Sequence, residues 1–326
     1  MRDGFGRTID YLRISVIDKC NLRCNYCMPV EGFEWIPRAE LLSFEEIAAI
    51  VRELVGMGLR RVRITGGEPL IRKDLPVLVA LLREIDGVEE ISLSTNGILL
   101  PRFATDLRLA GVDRVNISLD TLRRDRFEAI ARRPERVFDE IMAGVEAAER
   151  AGFAPIKINT VLLRGLNDDE VPQFAELTRS RPWHVRFIEM MPVGENLHLA
   201  DRFIGADEVL ERLGSLAELL PDAGPRGNGP ARYFRFPGAV GSVGVITPLS
   251  HNYCDSCNRM RLTADGRLRT CLFGSHEADL KTPLRAAGTV RAAVERALQQ
   301  KPQRHMLING SDSGSGGLGA LSQIGG

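Results

Sequence analysis

Residues 11–27 read YLRISVIDKCNLRCNYC: a β-rich run that breaks into a loop carrying Cys20, Cys24 and Cys27. The same kind of run recurs down the chain as RVRIT at 61, ISLS at 91, RVNIS at 114, IKINTVL at 156 and HVRFIEM at 184. Each is short and branched or aromatic in character, as strands are. Helical patterns lie between them. Ser43 and Glu46 form a capping-box pair, and Ile47, Ile50, Val51 and Leu54 follow at helical spacing up to Gly58. Further helices are predicted at 74–85, 101–110, 136–151 and 167–179. Six βα units with right-handed crossovers predict an α/β fold, a partial (βα)6 TIM-type barrel. Function in such a barrel sits at the carboxyl ends of the strands. Asp18 and Cys20, Gly66 to Glu68, Ser94 to Gly97 and Ser118 to Asp120 fall there.

A helix at 206–214 precedes the loop-like DAGPRGNGP at 222–230. RYFRF at 232, VGVIT at 243, RMRLT at 259 and RLRTCL at 267 then suggest short antiparallel strands, with a last helix near 288–299. The expected division is a barrel over 1–220 and a carboxyl-terminal domain over 221–326. By composition the Gly- and Ser-rich end, INGSDSGSGGLGALSQIGG, is a flexible tail.

With 43 basic and 43 acidic residues in 326, the whole molecule has no field to attract an anion, so nucleic acid is not expected as a partner. The amino terminus has no signal-peptide core, and no run of about 18 apolar residues occurs, so a cytoplasmic protein without membrane contact is expected. Six cysteines in two triplets in such a chain point to metal rather than disulfides.

Cys20, Cys24 and Cys27 are spaced C-x₃-C-x₂-C, and Cys254, Cys257 and Cys271 are spaced C-x₂-C-x₁₃-C. Three thiolates on one four-iron cluster leave an iron open for a further ligand. Zinc is the alternative at both triplets, and at the second His251 or His276 would be the fourth ligand. Arg259 and Arg261 share one face if RMRLT is a strand. Arg13, Arg63, Lys157 and Arg186 also stand within β runs, where charge is rare unless it faces a polar cavity with an anionic ligand. Together they predict a multiply charged substrate, for which paired guanidiniums are well suited.

DKCNLRCNYC after a barrel strand resembles the signature of the radical S-adenosylmethionine (SAM) enzymes. The resemblance implies that the first triplet carries a [4Fe-4S] cluster whose open iron is chelated by SAM. GGEP at 66–69 and NISLD at 116–120 match further segments, so Tyr26, Gly67, Ser118 and Met191 are implied SAM contacts. RFIEMMP, CNRMRLT, the second triplet and the terminal IGG extend the likeness to the branch that cyclises GTP in molybdenum cofactor synthesis. It implies a second [4Fe-4S] cluster that binds the guanine base, and GTP contacts from Arg13, Arg63, Ser94, Lys157, Arg186, Arg259, Met260 and Arg261. Ser94 stands where that branch usually has Thr. A radical from SAM would take hydrogen from C3′ of the ribose, and the resulting carbon would join C8 of guanine. Gly325 and Gly326 would reach into the active site, although the Arg and Met usual before IGG are replaced by Gly319 and Leu321. The tail is therefore expected to move before substrate binds. An external one-electron reductant, transfer of product to the next enzyme of the pathway and a homodimer are also implied. A peptide-modifying radical SAM enzyme and a non-catalytic metal protein are the competing readings.

Overall fold

The computed structural model describes residues 1–225, 227, 229–305 and 321–324. Its twelve strands are β1 Tyr11–Ser15, β2 Arg61–Thr65, β3 Glu90–Thr95, β4 Arg114–Ser118, β5 Ile156–Leu162, β6 Trp183–Glu189, β7 Leu220–Asp222, β8 Arg232–Arg235, β9 Ser242–Ile246, β10 Arg259–Leu262, β11 Arg267–Arg269 and β12 Glu277–Asp279. They form one sheet in the order β12-β11-β10-β1-β2-β3-β4-β5-β6-β9-β8-β7. The eight from β10 to β9 are parallel neighbours. Only the outer pairings, β10 to β11, β11 to β12, β9 to β8 and β8 to β7, are antiparallel.

Residues after 220 thus extend the barrel sheet at both ends, which corrects the expectation of purely antiparallel strands there. β9 pairs with β6, and β10 pairs with β1. These two end strands are not paired with each other, so the barrel is open along one seam. Residues 247–258, connecting β9 to β10, run from one lip of the seam to the other and carry Cys254 and Cys257. Glu189 fixes one end by accepting from the Leu249 and Ser250 amides at 3.0 and 3.1 Å. Asn258 fixes the other by donating to Asp10 at 2.7 Å.

Strand alternation sorts the side chains by face. Leu12, Ile14, Val62, Ile64, Ile91, Leu93, Val115, Ile117, Ile158 and Val185 are fully buried in the apolar core. That core includes residues of the helices at Phe44–Gly56, Leu75–Arg83, Leu100–Ala110, Arg136–Arg150 and Val171–Ser180. The capping box at Ser43 and Glu46 is present. The residues in between, Arg13, Arg63, Ser92, Ser94, Asn116, Ser118, Lys157, Asn159 and Arg186, are polar and share the barrel's interior face. The helix Arg124–Ala131 was not expected. Among the described residues no helix is long and apolar enough to cross a membrane.

Candidate active site

One cavity of about 260 Å³ opens at the carboxyl ends of the strands. Residues from β1, β2, β3, β4, β5, β6, β9 and β10 all line it, so the sheet curls around it. The β1 loop brings Cys20, Cys24 and Cys27 to this cavity, and GGEP fits beneath that loop. Gly67 donates its amide to Ile17 O at 2.6 Å, and Glu68 donates to Lys19 O at 2.8 Å. A Cβ on Gly67 would lie 2.2 Å from Lys19 O, so the close approach of the two loops requires glycine. Glu68 is buried and accepts from the Asn96 amide at 2.7 Å and the Thr95 hydroxyl at 2.8 Å. Burial pushes its carboxyl up to about 7. Tyr26 donates to Asp120 at 2.7 Å, and Asp120 in turn accepts from the Val161 amide at 2.9 Å. Tyr26, Gly67, Ser118 and Met191 all line the cavity.

Burial pushes the Cys20 thiol up to about 11 and the Cys27 thiol up to about 12, while Cys24 rises well above its ordinary value for the same reason. Cys27 and Cys20 raise Cys24 further, and Cys20 raises Cys27. Such thiols are poor anions alone and become good ligands once a cation shares their charge. Among the described residues no three His, Cys, Asp or Glu side chains converge as ligands of a single ion. A cubane spreads its ligands over several irons, so its cysteines stand farther apart. The thiol set and the cavity beside it fit a [4Fe-4S] cluster with one open iron and a chelating SAM.

At the second triplet, burial raises the Cys254 thiol. Burial also acts upward on Cys257, but Lys301 and Arg259 outweigh it and lower that thiol. Tyr253 and Leu272, flanking two of these cysteines, line the shared cavity. His251 is committed to Asp207, at 2.9 Å, and His276 is exposed, so neither expected fourth ligand is drawn into this site. Three cysteines and an open position suit a second cluster.

Arg261, Arg13 and Arg63 stand directly opposite one another on β10, β1 and β2. Burial first, and then the neighbouring arginines, hold the Arg13 guanidinium well below its usual range, and burial brings Arg261 down to about 10. Like charges facing across strands repel, so the row suits an anionic ligand. Ser94, Arg186 and Arg259 line the same cavity. Two expected contacts differ. Lys157 is opposite Asn116, one layer below the Ser118–Asn159 pair at the cavity, and is not in its lining. Met260 faces the other way from Arg259 and Arg261 and lies in the apolar core, because strand side chains alternate.

The chain matches the radical SAM superfamily over residues 14–178 and the family Molybdenum Cofactor Synthesis C over residues 183–307. It is 47% identical to the GTP 3′,8-cyclase of Heliobacterium modesticaldum, with all of both chains covered. It is also 47% identical to that of Moorella thermoacetica over all of both chains. The protein belongs to the GTP 3′,8-cyclase family. SuiB of Streptococcus suis, solved with S-adenosylmethionine, shares its fold at a TM-score of 0.63 and 13% identity, covering 97% of this chain and 77% of that one.

Within this family site lie polar atoms that sequence reasoning missed. Tyr11 Oη, Asn159 Oδ1 and Ser322 Oγ are buried, line the cavity and have no hydrogen-bond partner among the described residues; Ser94 Oγ and Arg186 Nε share that condition. Tyr11 and Asn159 could have been found from the inward register of Arg13 and Lys157, two residues away on the same strands. Ser322 had no such signal. Leu321, Ser322 and Ile324 are buried, with Leu321 and Ile324 packed around Val193 near Met191, Tyr26, Cys27 and Leu272. Leu321 and Ile324 thus lie buried against the loops that carry Tyr26, Cys27 and Leu272. Gly319, Gly325 and Gly326 lie outside the described residues.

Proposed function

We propose that the chain converts GTP to (8S)-3′,8-cyclo-7,8-dihydroguanosine 5′-triphosphate, the first step of molybdenum cofactor biosynthesis, in the cavity between its two cysteine triplets. The observation that carries this reading is the row Arg261, Arg13, Arg63 lining a cavity shared with Cys20, Cys24 and Cys27. When bound, SAM on the first cluster supplies a hydrogen-abstracting radical, and the second cluster offers an open iron to the guanine base.

The chain's own residues hold and orient. Arg13, Arg63, Arg186, Arg259 and Arg261 grip the triphosphate, each guanidinium offering paired donors to its oxygens. Lys157 adds charge from the layer below, and Met260 can contribute only through its backbone. Ser94, with its unpartnered hydroxyl, bonds the nucleotide. Tyr26, Gly67, Ser118 and Met191 form the SAM side, where Gly67 lets the backbone come close. Fixing the ribose against the SAM side and screening out water favours one hydrogen transfer over all others. Gly325 and Gly326 complete the site from the tail, and their deletion is expected to abolish cyclisation while uncoupled SAM cleavage persists. Residues 1–220 act as the SAM module and 221–326 as the substrate module. An external one-electron reductant, hand-over of product to the next enzyme and a homodimer complete the proposal.

The test is anaerobic incubation with SAM, reductant and each nucleoside triphosphate in turn, scoring 5′-deoxyadenosine and cyclised product. Stimulation by GTP alone is expected. Stimulation by a peptide and not by GTP refutes the reading.

A further inference from the structure

Lys301 is 3% exposed, yet it is a cation with no place in the nucleotide-binding set. Its ammonium has three N–H donors, and three acceptors meet it: Cys257 Sγ at 3.6 Å, Arg259 O at 3.1 Å and Thr270 O. Two are neutral carbonyls and the third is a cysteine. A buried ammonium is costly unless a nearby anion compensates it. A thiolate-ligated cluster held by Cys257 would be that anion. The three acceptors also tie together the parts of the second triplet, since Thr270 precedes Cys271 and Arg259 begins β10 just after Cys257.

The neighbouring backbone extends the arrangement. Arg7 reaches from the amino terminus to donate to Cys254 O at 2.8 Å, Gln303 O at 2.8 Å and Pro302 O at 2.7 Å. The His305 ring donates to Pro248 O at 2.7 Å. Residues 301–305 therefore wrap the second triplet from outside the cavity.

We propose that Lys301 is a positioning and charge-tuning residue of the second cluster: it fixes Cys257 through a hydrogen bond to sulfur and supplies a buried positive charge that favours the cluster's reduced form. Reduction potentials of such clusters follow net charge and hydrogen bonds to the sulfurs, and groups behind metal ligands affect retention of the metal. This rests on the two-cluster reading above.

The experiment isolates the second cluster in full-length protein carrying Cys20→Ala, Cys24→Ala and Cys27→Ala, loaded anaerobically with iron and sulfide. Lys301→Arg and Lys301→Gln are compared on this background by iron and sulfide content, midpoint potential from an electron paramagnetic resonance titration, and loss of iron to a chelator. Arg keeps the charge and is expected to preserve the potential. Gln keeps a donor but not the charge, so it is expected to move the potential to more negative values and weaken iron retention roughly 10–100-fold. If Gln fails to fold, Lys301→Met provides the same neutralisation. A neutral variant with unchanged potential and retention overturns the inference, as do equal shifts for Arg and the neutral variant. Failure of the unsubstituted background to take up iron sinks the two-cluster reading instead.

Discussion

Gly67→Ala adds one methyl group where the first cysteine loop and GGEP touch. The new Cβ would stand 2.2 Å from Lys19 O and 2.5 Å from Asp18 O, both backbone atoms that no rotamer can move. Ordinary contact begins at 3.4 Å, so the loops must part by about an ångström, an overpacking that costs about 1–3 kcal/mol. Cys20 follows Lys19 directly, so the displacement reaches a cluster ligand. A misplacement of about 1 Å at a reacting centre costs roughly 100-fold in rate. The assay is 5′-deoxyadenosine formation by anaerobically reconstituted protein, with iron content and thermal unfolding measured on the same sample. Gly152→Ala is the control. Its φ of +76° penalises any side chain, but nothing lies within 4 Å of its Cβ, so it should lose about 1–3 kcal/mol of stability and keep full activity. Gly67→Ala with unsubstituted activity and iron content would refute the close-approach argument.

Arg261→Met should raise the melting temperature of the ligand-free protein, because it relieves repulsion in the arginine row worth about 0.2–1 kcal/mol. The same change should weaken GTP binding by roughly 10–100-fold, the loss of a charged hydrogen bond, and calorimetry reads both. Lys157 is pushed down to about 6 by burial, then by Arg186, Arg114 and Arg63, so at pH 8 the empty protein holds it neutral. A bound triphosphate favours the charged form, and GTP binding should therefore take up a proton at pH 8, with affinity falling as pH rises. Titration in buffers of different ionisation enthalpy detects the uptake, and equal uptake in Lys157→Met would contradict it. Tyr26→Phe leaves buried Asp120 without its hydroxyl donor and should cost about 1–3 kcal/mol in denaturant unfolding.

The parallel strands β1 to β6 were legible because each begins a βα repeat, and polar residues at their inward positions mark the cavity side. So were the two triplets, whose spacing is local. The pairing of β10 with β1 was not, since Tyr11 and Arg259 become partners only through tertiary folding, and RMRLT has the same local character in either orientation. Met260 sits between two arginines in sequence, and only its fixed strand face separates it from them. Lys301 occurs in QQKPQRH, which reads as solvated surface; three acceptors from distant segments make it interior. In the tail, Gly and Ser content hid Leu321 and Ile324, whose burial depends on apolar partners brought from the loops at Tyr26, Met191 and Leu272.

The open seam explains how Tyr253 and Leu272, beside the second triplet, come to line the same cavity as the first. In a closed barrel, the strands after β6 and before β1 would pair, and their ladder would occupy the space through which a second centre must approach. Here β9 and β10 instead turn outward into antiparallel pairs with β8 and β11, and residues 247–258 cross between them. That crossing has no ladder to hold it, so Glu189 and Asn258 pin its ends and Arg7 and Lys301 brace its middle. The absent ladder is thus replaced by side-chain hydrogen bonds and, on the two-cluster reading, by iron linking Cys254 and Cys257 to Cys271. Loss of the second cluster should consequently loosen the seam before the parallel strands. Hydrogen exchange of the cluster-free protein should show faster exchange over residues 247–258 while β2 to β4 stay protected; uniform protection would mean that the seam is held without the metal.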